Sequence, residues 1–193
     1  MNLAHQLVLA SNSPRRQQLL ISAGFVFSVQ TKNVPEDFPS AMPVADVPVY
    51  LARKKALAFK EEIKDELIIA ADTVVIIDGQ ILNKPADEQE ATQMLSQLSG
   101  RMHEVITGVC LFSRDKTFTF SDRTEVYFKS LSAEEIKFYV TYYRPFDKAG
   151  AYGAQEWMGM IGVEKIVGSY FNVMGLPVHL VYQYLQSWDA TKE

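Results

Sequence analysis

Apolar residues recur along the chain with two different periods, and the switches between them mark out the elements. Leu7 to Ala10 is a short apolar run that stops at Ser-Asn-Ser-Pro. There Ser13 is placed to cap a helix, and Pro14 suits its first turn because the missing N–H would be unpaired there in any case. This helix is predicted to run to about Ala23, with Gly24 to end it, before Phe25 to Gln30 alternates like a strand. Pro35, Pro39, Pro43 and Pro48 then break any regular element, so Thr31 to Pro48 reads as a loop that crosses something, followed by a helix to about Lys64.

Leu67 to Ile77 is a β-branched run ending in Asp78-Gly79, a hairpin signal that leads into Ile81 and Leu82. Asp87 and Glu90 give the capping pattern of a helix ending near Gly100, and His103–Ser113 and Thr117–Phe128 read as two strands joined across Arg114-Asp115. A second capping box, Ser132 with Glu135, opens a helix to about Tyr143. Gly150 to Gly168 is glycine-rich and predicts no element, and a last helix spans Pro177 to Trp188. The aromatic positions in 138–143 and 182–188 fall at helical spacing and are expected in the core. Hairpins interspersed with helices favour a mixed α/β sheet over a purely parallel one, built as a single folding unit over residues 1–193. The proline-rich loop is a candidate divider between two lobes.

Composition narrows the function classes. The 193 residues are 48% hydrophobic and 22% charged with a net charge of -4, so neither nucleic acid nor an anionic membrane is an expected partner. An anionic substrate would have to be held by basic side chains gathered locally. Cys110 is the single cysteine, which excludes an intrachain disulfide and suits a reducing compartment, and His5, His103 and His179 lack metal-ligand spacing. The first residues lack the pattern of a signal peptide and no apolar stretch reaches membrane-span length, so a cytoplasmic protein is expected.

Three features carry candidate chemistry. In the strand-SNSPRR-helix segment, backbone N–H groups and the hydroxyls of Ser11 and Ser13 lie at a helix N-terminus beside Arg15 and Arg16. That is a phosphate cradle, or equally a capped helix with a solvated basic first turn; two cations there oppose the helix dipole, which an anion between them would relieve. Asp72 interrupts an apolar strand, either as a strand-end residue bonded to backbone or as a buried acid that needs a cation. Should Glu36 reach the same place, the two carboxylates would suit Mg²⁺ or Mn²⁺, with water and phosphate oxygens completing the shell. Lys55, Lys84 and Lys148 read singly as solvated lysines and jointly as a means of neutralising a polyphosphate. The P-loop, GxGxxG and GxSxG patterns are all absent.

Taken in order, LASNSPRR (9–16), Glu36 in NVPE, LARKKA (51–56), AADTVV (70–75 region, around Asp72), NKP (83–85), SGRMHEVITGV (99–109), DKAGAYGAQ (147–155) and GSYFNVMGLP (168–177) resemble the Maf-like family of nucleoside triphosphate pyrophosphatases over nearly the whole chain. The resemblance implies a mixed, twisted α/β sheet with flanking helices and two lobes around a deep cleft, of the Maf/ITPase-like kind. It implies hydrolysis of the bond between the α and β phosphates with a divalent cation, Mg²⁺ or Mn²⁺. Asp72 matches the catalytic base. Arg15, Thr73 and Gln155 match positions that influence base selection; Ser11, Ser13, Arg16, Lys55 and Lys84 match those lining the triphosphate; and Glu36, with Asp72, matches the metal-side carboxylates. DKAGAYGAQ resembles the dTTP/UTP branch, whose role is to limit incorporation of unwanted nucleotides, and the Gln155 amide suits the O4/N3–H edge of uracil or thymine. The chain departs from the family pattern at Asn83, at Ala154 and at Glu156, where an extra carboxylate stands beside the base-reading glutamine. Alternative readings are a pyrophosphatase for purine or noncanonical triphosphates, or a nucleotide-sensing regulator of septum formation. The family also suggests a homodimer.

Overall fold

The computed structural model describes residues 5–188. Its elements run β1 (Gln6–Leu9), α1 (Pro14–Ser22), β2 (Phe27–Val29), α2 (Val47–Leu57), β3 (Glu66–Ile77), β4 (Gln80–Leu82), α3 (Glu88–Leu98), β5 (Met102–Phe112), β6 (Thr117–Phe128), α4 (Ala133–Tyr143), α5 (Trp157–Gly162), β7 (Val163–Val167), α6 (Tyr170–Val173) and α7 (Val178–Gln186). The strands form one sheet in the order β2-β1-β3-β5-β6-β7, with β4 paired to β3. It is mixed, as hairpins among helices predict: β1 is parallel to β2 and to β3, while β3/β4 and β6/β7 are antiparallel. A central position for β3 explains its sequence, since a strand buried on both faces reads as a continuous apolar run and not as an alternation.

The chain divides into two compact units, and β3, β5 and β6 each contribute to both. Among the described residues, the first comprises 5–72, Thr107–Asp122 and 175–188; the second comprises Thr73–Ile106 and Arg123–Met174. In the first unit, Val8, Ala10, Ala52, Ala56, Phe59, Ile68, Ala70, Cys110 and Phe112 form a core around β1, α2, β3 and β5. Small residues let α2 lie close to the sheet. A Cβ on Gly108 of β5 would stand 2.3 Å from the Pro48 carbonyl carbon and from the Val49 nitrogen, so glycine there is what admits the first turn of α2. In the second unit, α3 and α4 supply Leu95, Leu98, Ile136, Tyr139 and Val140 to a core that also takes Val75, Val105 and Val126 from the strands.

Local signals placed the helix starts well. Ser13, Asp87 and Ser132 each accept a hydrogen bond from the backbone N–H three residues on, and Ser132 with Glu135 closes a full capping box. Departures have tertiary causes. The helix expected to reach Lys64 stops at Leu57, and the chain turns so that Phe59 enters the core beside Ala52 and Ala56. Only Phe27–Val29 of the 25–30 strand pairs. The glycine-rich stretch, from which no element was expected, holds α5, β7 and α6, and β7 is a strand because β6 offers it an edge. The aromatic segments enter the core only in part: Tyr139 and Trp188 are buried, whereas Phe138, Tyr142, Tyr143 and Tyr182 are exposed. No helix among the described residues is long and apolar enough to cross a membrane.

Candidate active site

The first unit gathers four of the charged residues singled out from sequence. Asp72, the last residue of its unit on β3, is only 8% exposed, and in such surroundings a carboxylate without a cation is costly. Its partner is Lys55. The Val47–Leu57 helix buries Val47, Leu51, Ala52 and Ala56, and Lys55 stands one turn on from Leu51 and Ala52, at the margin of that face. Its ammonium reaches Asp72 Oδ1 at 2.6 Å and Glu36 Oε1 at 2.7 Å. One cation therefore bridges the two carboxylates that sequence reasoning wanted in one place.

The loop carrying Glu36 is moored by the same helix. Lys54 donates to Asp37 Oδ1 at 2.6 Å and to the Asp37 carbonyl at 3.3 Å, so adjacent lysines hold adjacent acids, and Lys54 keeps the Asp37 carboxyl below its usual range. The Lys54–Asp37 pair was not singled out from sequence, although two acids in the proline-rich loop facing two lysines on the helix were its signal.

The SNSPRR turn supplies the rest. Ser11, almost wholly buried, accepts from the Ser13 N–H at 3.2 Å and from Arg16 Nη1 at 3.3 Å, while Arg16 Nε donates to the Gly175 carbonyl at 2.8 Å. Burial lowers the Arg16 pKa; the charge of Asp72 opposes that shift, Arg15 adds to it, and Glu36 opposes it again. Arg16 thus belongs to the same electrostatic neighbourhood as Asp72 and Glu36. Arg15 and Ser13 are half-buried at the start of α1. Two cations, Arg16 and Lys55, thus stand with the two carboxylates Asp72 and Glu36 in one electrostatic neighbourhood.

The remaining residues lie in the second unit. Thr73, half-buried, directly follows Asp72 on β3; Lys84 is exposed between β4 and α3; Gln155 is exposed just before α5. Neither Lys84 nor the Gln155 side chain has a hydrogen-bond partner among the described residues. Lys148 departs from the reading of a lysine open to phosphate. It is 7% exposed, with Asp147 Oδ1 at 2.6 Å and Glu156 Oε1 at 3.0 Å, so its charge is already committed inside the fold. Cys110 is buried in the first unit's core, which pushes its thiol up to about 12 and leaves it protonated and inert.

No group of three or more His, Cys, Asp and Glu side chains that would hold a metal occurs among the described residues. What is present is the pair Glu36 and Asp72, already close enough to share one ammonium. Two carboxylates fit Mg²⁺, which keeps several waters and leans on substrate phosphates; they do not make an all-protein cage.

The chain is also similar to known proteins in fold and in sequence. A solved structure, that of the Staphylococcus aureus Ham1 protein, shares the fold with a TM-score of 0.51 at 15% identity, covering 95% of this chain and 99% of that one. In sequence the chain is 50% identical over 180 residues to the dTTP/UTP pyrophosphatase of Cytophaga hutchinsonii, covering 93% of this chain and 83% of the relative. It is likewise 50% identical over 184 residues to the dTTP/UTP pyrophosphatase of Phocaeicola vulgatus, covering 94% and 95%. The model of the family described as Maf-like protein matches residues 6–188. By that match and those identities, the chain belongs to the Maf-like protein family.

Proposed function

We propose that this protein hydrolyses dTTP and UTP to the nucleoside monophosphate and pyrophosphate, with Asp72 as the base that activates water. The observation that carries the chemistry is the position of Asp72: a carboxylate withdrawn from solvent on an apolar strand, with Lys55 at 2.6 Å and the Arg16 charge nearby. In this reading the carboxylate, held on a rigid strand, orients the attacking water and accepts its proton, and the adjacent cations offset charge that develops on the phosphate oxygens. Support for the substrate comes from relatives named dTTP/UTP pyrophosphatase at about half identity over most of the chain.

In this reading Ser11, Ser13, Arg16, Lys55 and Lys84 bind the triphosphate, and Arg15, Thr73 and Gln155 act in base selection. Glu36 and Asp72 would hold Mg²⁺ or Mn²⁺, which when bound supplies Lewis-acid stabilisation of phosphate oxygens. Lys55 keeps both carboxylates turned the same way, and Ser11 is oriented by Arg16. A cytoplasmic homodimer completes the reading, and light scattering on the purified protein checks its mass.

The test is product analysis. Purified protein incubated with UTP or dTTP and Mg²⁺ or Mn²⁺ yields the monophosphate and pyrophosphate, and Asp72→Asn does not. Equal release by the variant removes Asp72 as base. Nucleotide binding without turnover favours a sensor, and faster turnover of ITP or 7-methyl-GTP moves the specificity to purines.

A further inference from the structure

Glu156, the carboxylate that departs from the family pattern, does not face the base-reading glutamine as a rival charge. It folds back beneath it. Gly153 to Glu156 form a four-residue turn closed by the Glu156 N–H donating to the Gly153 carbonyl at 3.1 Å, with Ala154 and Gln155 at its tip. The phenol of Tyr139, buried in α4, clamps both ends: the Gly153 N–H donates to its oxygen at 3.1 Å, and its own O–H donates to Glu156 Oε2 at 2.5 Å. Lys148 holds the other carboxylate oxygen at 3.0 Å.

Close packing requires glycine at two positions around this turn. A Cβ on Gly153 would come within 2.9 Å of the Glu156 carboxyl carbon, and one on Gly159 would overlap the Ala154 carbonyl oxygen at 2.0 Å. The Tyr170 hydroxyl donates to that carbonyl at 3.3 Å. Just before the turn, Ala151 is fully buried with φ 59, a left-handed conformation that a non-glycine residue keeps only when its surroundings impose it. Gln155 alone in the turn is exposed, and neither its side-chain amide nor its backbone N–H has a partner among the described residues.

Chemistry then separates the two groups on Gln155. A side-chain amide has a donor and an acceptor and can flip, so it pairs with the O4/N3–H edge of uracil in one orientation and with the N4–H₂/N3 edge of cytosine in the other. By itself it does not tell the two bases apart. A backbone N–H cannot flip: it is a donor only, matched to a 4-oxo group and opposed to a 4-amino group. We propose that discrimination between 4-oxo and 4-amino pyrimidines resides in the backbone N–H of Gln155, and that Glu156 and Tyr139 are the positioning residues that hold it. This rests on the reading that the Gln155 segment meets the base.

The experiment compares kcat/KM for UTP and CTP in the wild type, Tyr139→Phe, Glu156→Ala, Glu156→Gln and Gln155→Ala, with a thermal melt on each. Tyr139→Phe keeps the ring and loses both clamping bonds; the UTP-over-CTP preference is expected to fall about tenfold, the worth of one hydrogen bond, chiefly through KM for UTP. Glu156→Ala behaves likewise and Glu156→Gln, which still accepts from Tyr139, keeps most of the preference. Gln155→Ala raises KM for UTP yet preserves the preference, because its backbone is intact. An unchanged preference in folded Tyr139→Phe overturns the proposal, even where Glu156→Ala does not fold. If Gln155→Ala alone abolishes the preference, the side chain is the discriminator and the proposal fails while the pyrimidine reading stands. If Gln155→Ala alters neither KM nor preference, the segment does not meet the base and both fall.

Discussion

Replacing Lys55 by methionine removes the one ammonium shared by Asp72 and Glu36 while keeping an unbranched stem on the helix. The two pairs are unequal. Side-chain exposure is 19% for Lys55 and 12% for Asp72, but 52% for Glu36, so the first pair is largely shielded from water and the second is screened. Stranding one partner of a shielded pair costs about 3–5 kcal/mol, and loss of the exposed pair adds at most about 1 kcal/mol. Arg16 still lends charge to Asp72, which argues for the low end, about 3 kcal/mol. For a chain of this size that lowers the melting temperature by about 6–12 °C. Urea denaturation and thermal melts on Lys55→Met, Asp72→Asn and the double variant form a cycle, and the double variant should be more stable than Lys55→Met because the stranded charge is gone. Pyrophosphate release from UTP should drop on the order of 100-fold in Lys55→Met at a temperature where the fold is intact. A Lys55→Met protein within about 0.5 kcal/mol of wild type, or a cycle whose coupling is zero, would refute the claim that Lys55 is what makes Asp72 tolerable on the apolar strand.

Two further outcomes follow from groups away from these carboxylates. His103 is 1% exposed with one ring nitrogen on the Tyr152 hydroxyl at 2.7 Å, and burial lowers its pKa from 6.5 to about 3. Between those values the unfolded chain binds a proton that the folded chain does not, so the His103 contribution to stability is full above pH 6.5 and declines as pH falls toward 3, by up to about 1.4 kcal/mol per pH unit. Chemical denaturation of His103→Asn at pH 7 and pH 4.5 should show a shallower acid loss than the wild type, and an equal slope contradicts it. Gly108→Ala drives a methyl into the Pro48–Val49 backbone, and the shift of α2 should cost about 3 kcal/mol in denaturation and weaken turnover along with it, since α2 carries Lys55; a melt unchanged from wild type contradicts that.

Much of the local order was written in the chain. Ser132 with Glu135, Asp87 with Glu90 and the Asp78-Gly79 turn each need only residues within a few positions, because caps and tight turns are satisfied by neighbouring backbone. The apolar run Leu67–Ile77 announced a strand interrupted by Asp72, and its central place in the sheet buries it on both faces. Family motifs in order announced the rest of the candidate residues, and the structure brings Arg16, Glu36, Lys55 and Asp72 into one unit's electrostatic neighbourhood.

Other properties were decided only by packing. Spacing made Lys55 and Lys148 look alike, yet one bridges two carboxylates at a partly open site and the other is sealed against Asp147 and Glu156. Glu156 read as a charge beside Gln155, and only the location of Tyr139 on α4 reveals why it turns inward. The short β7 strand exists because β6 offers it partners, not because its own residues demand it. The division has one cause: caps, turns and apolar period are satisfied within a few residues of sequence, whereas the partner of a buried charge is whichever opposite group the folded backbone carries to it across tens of residues.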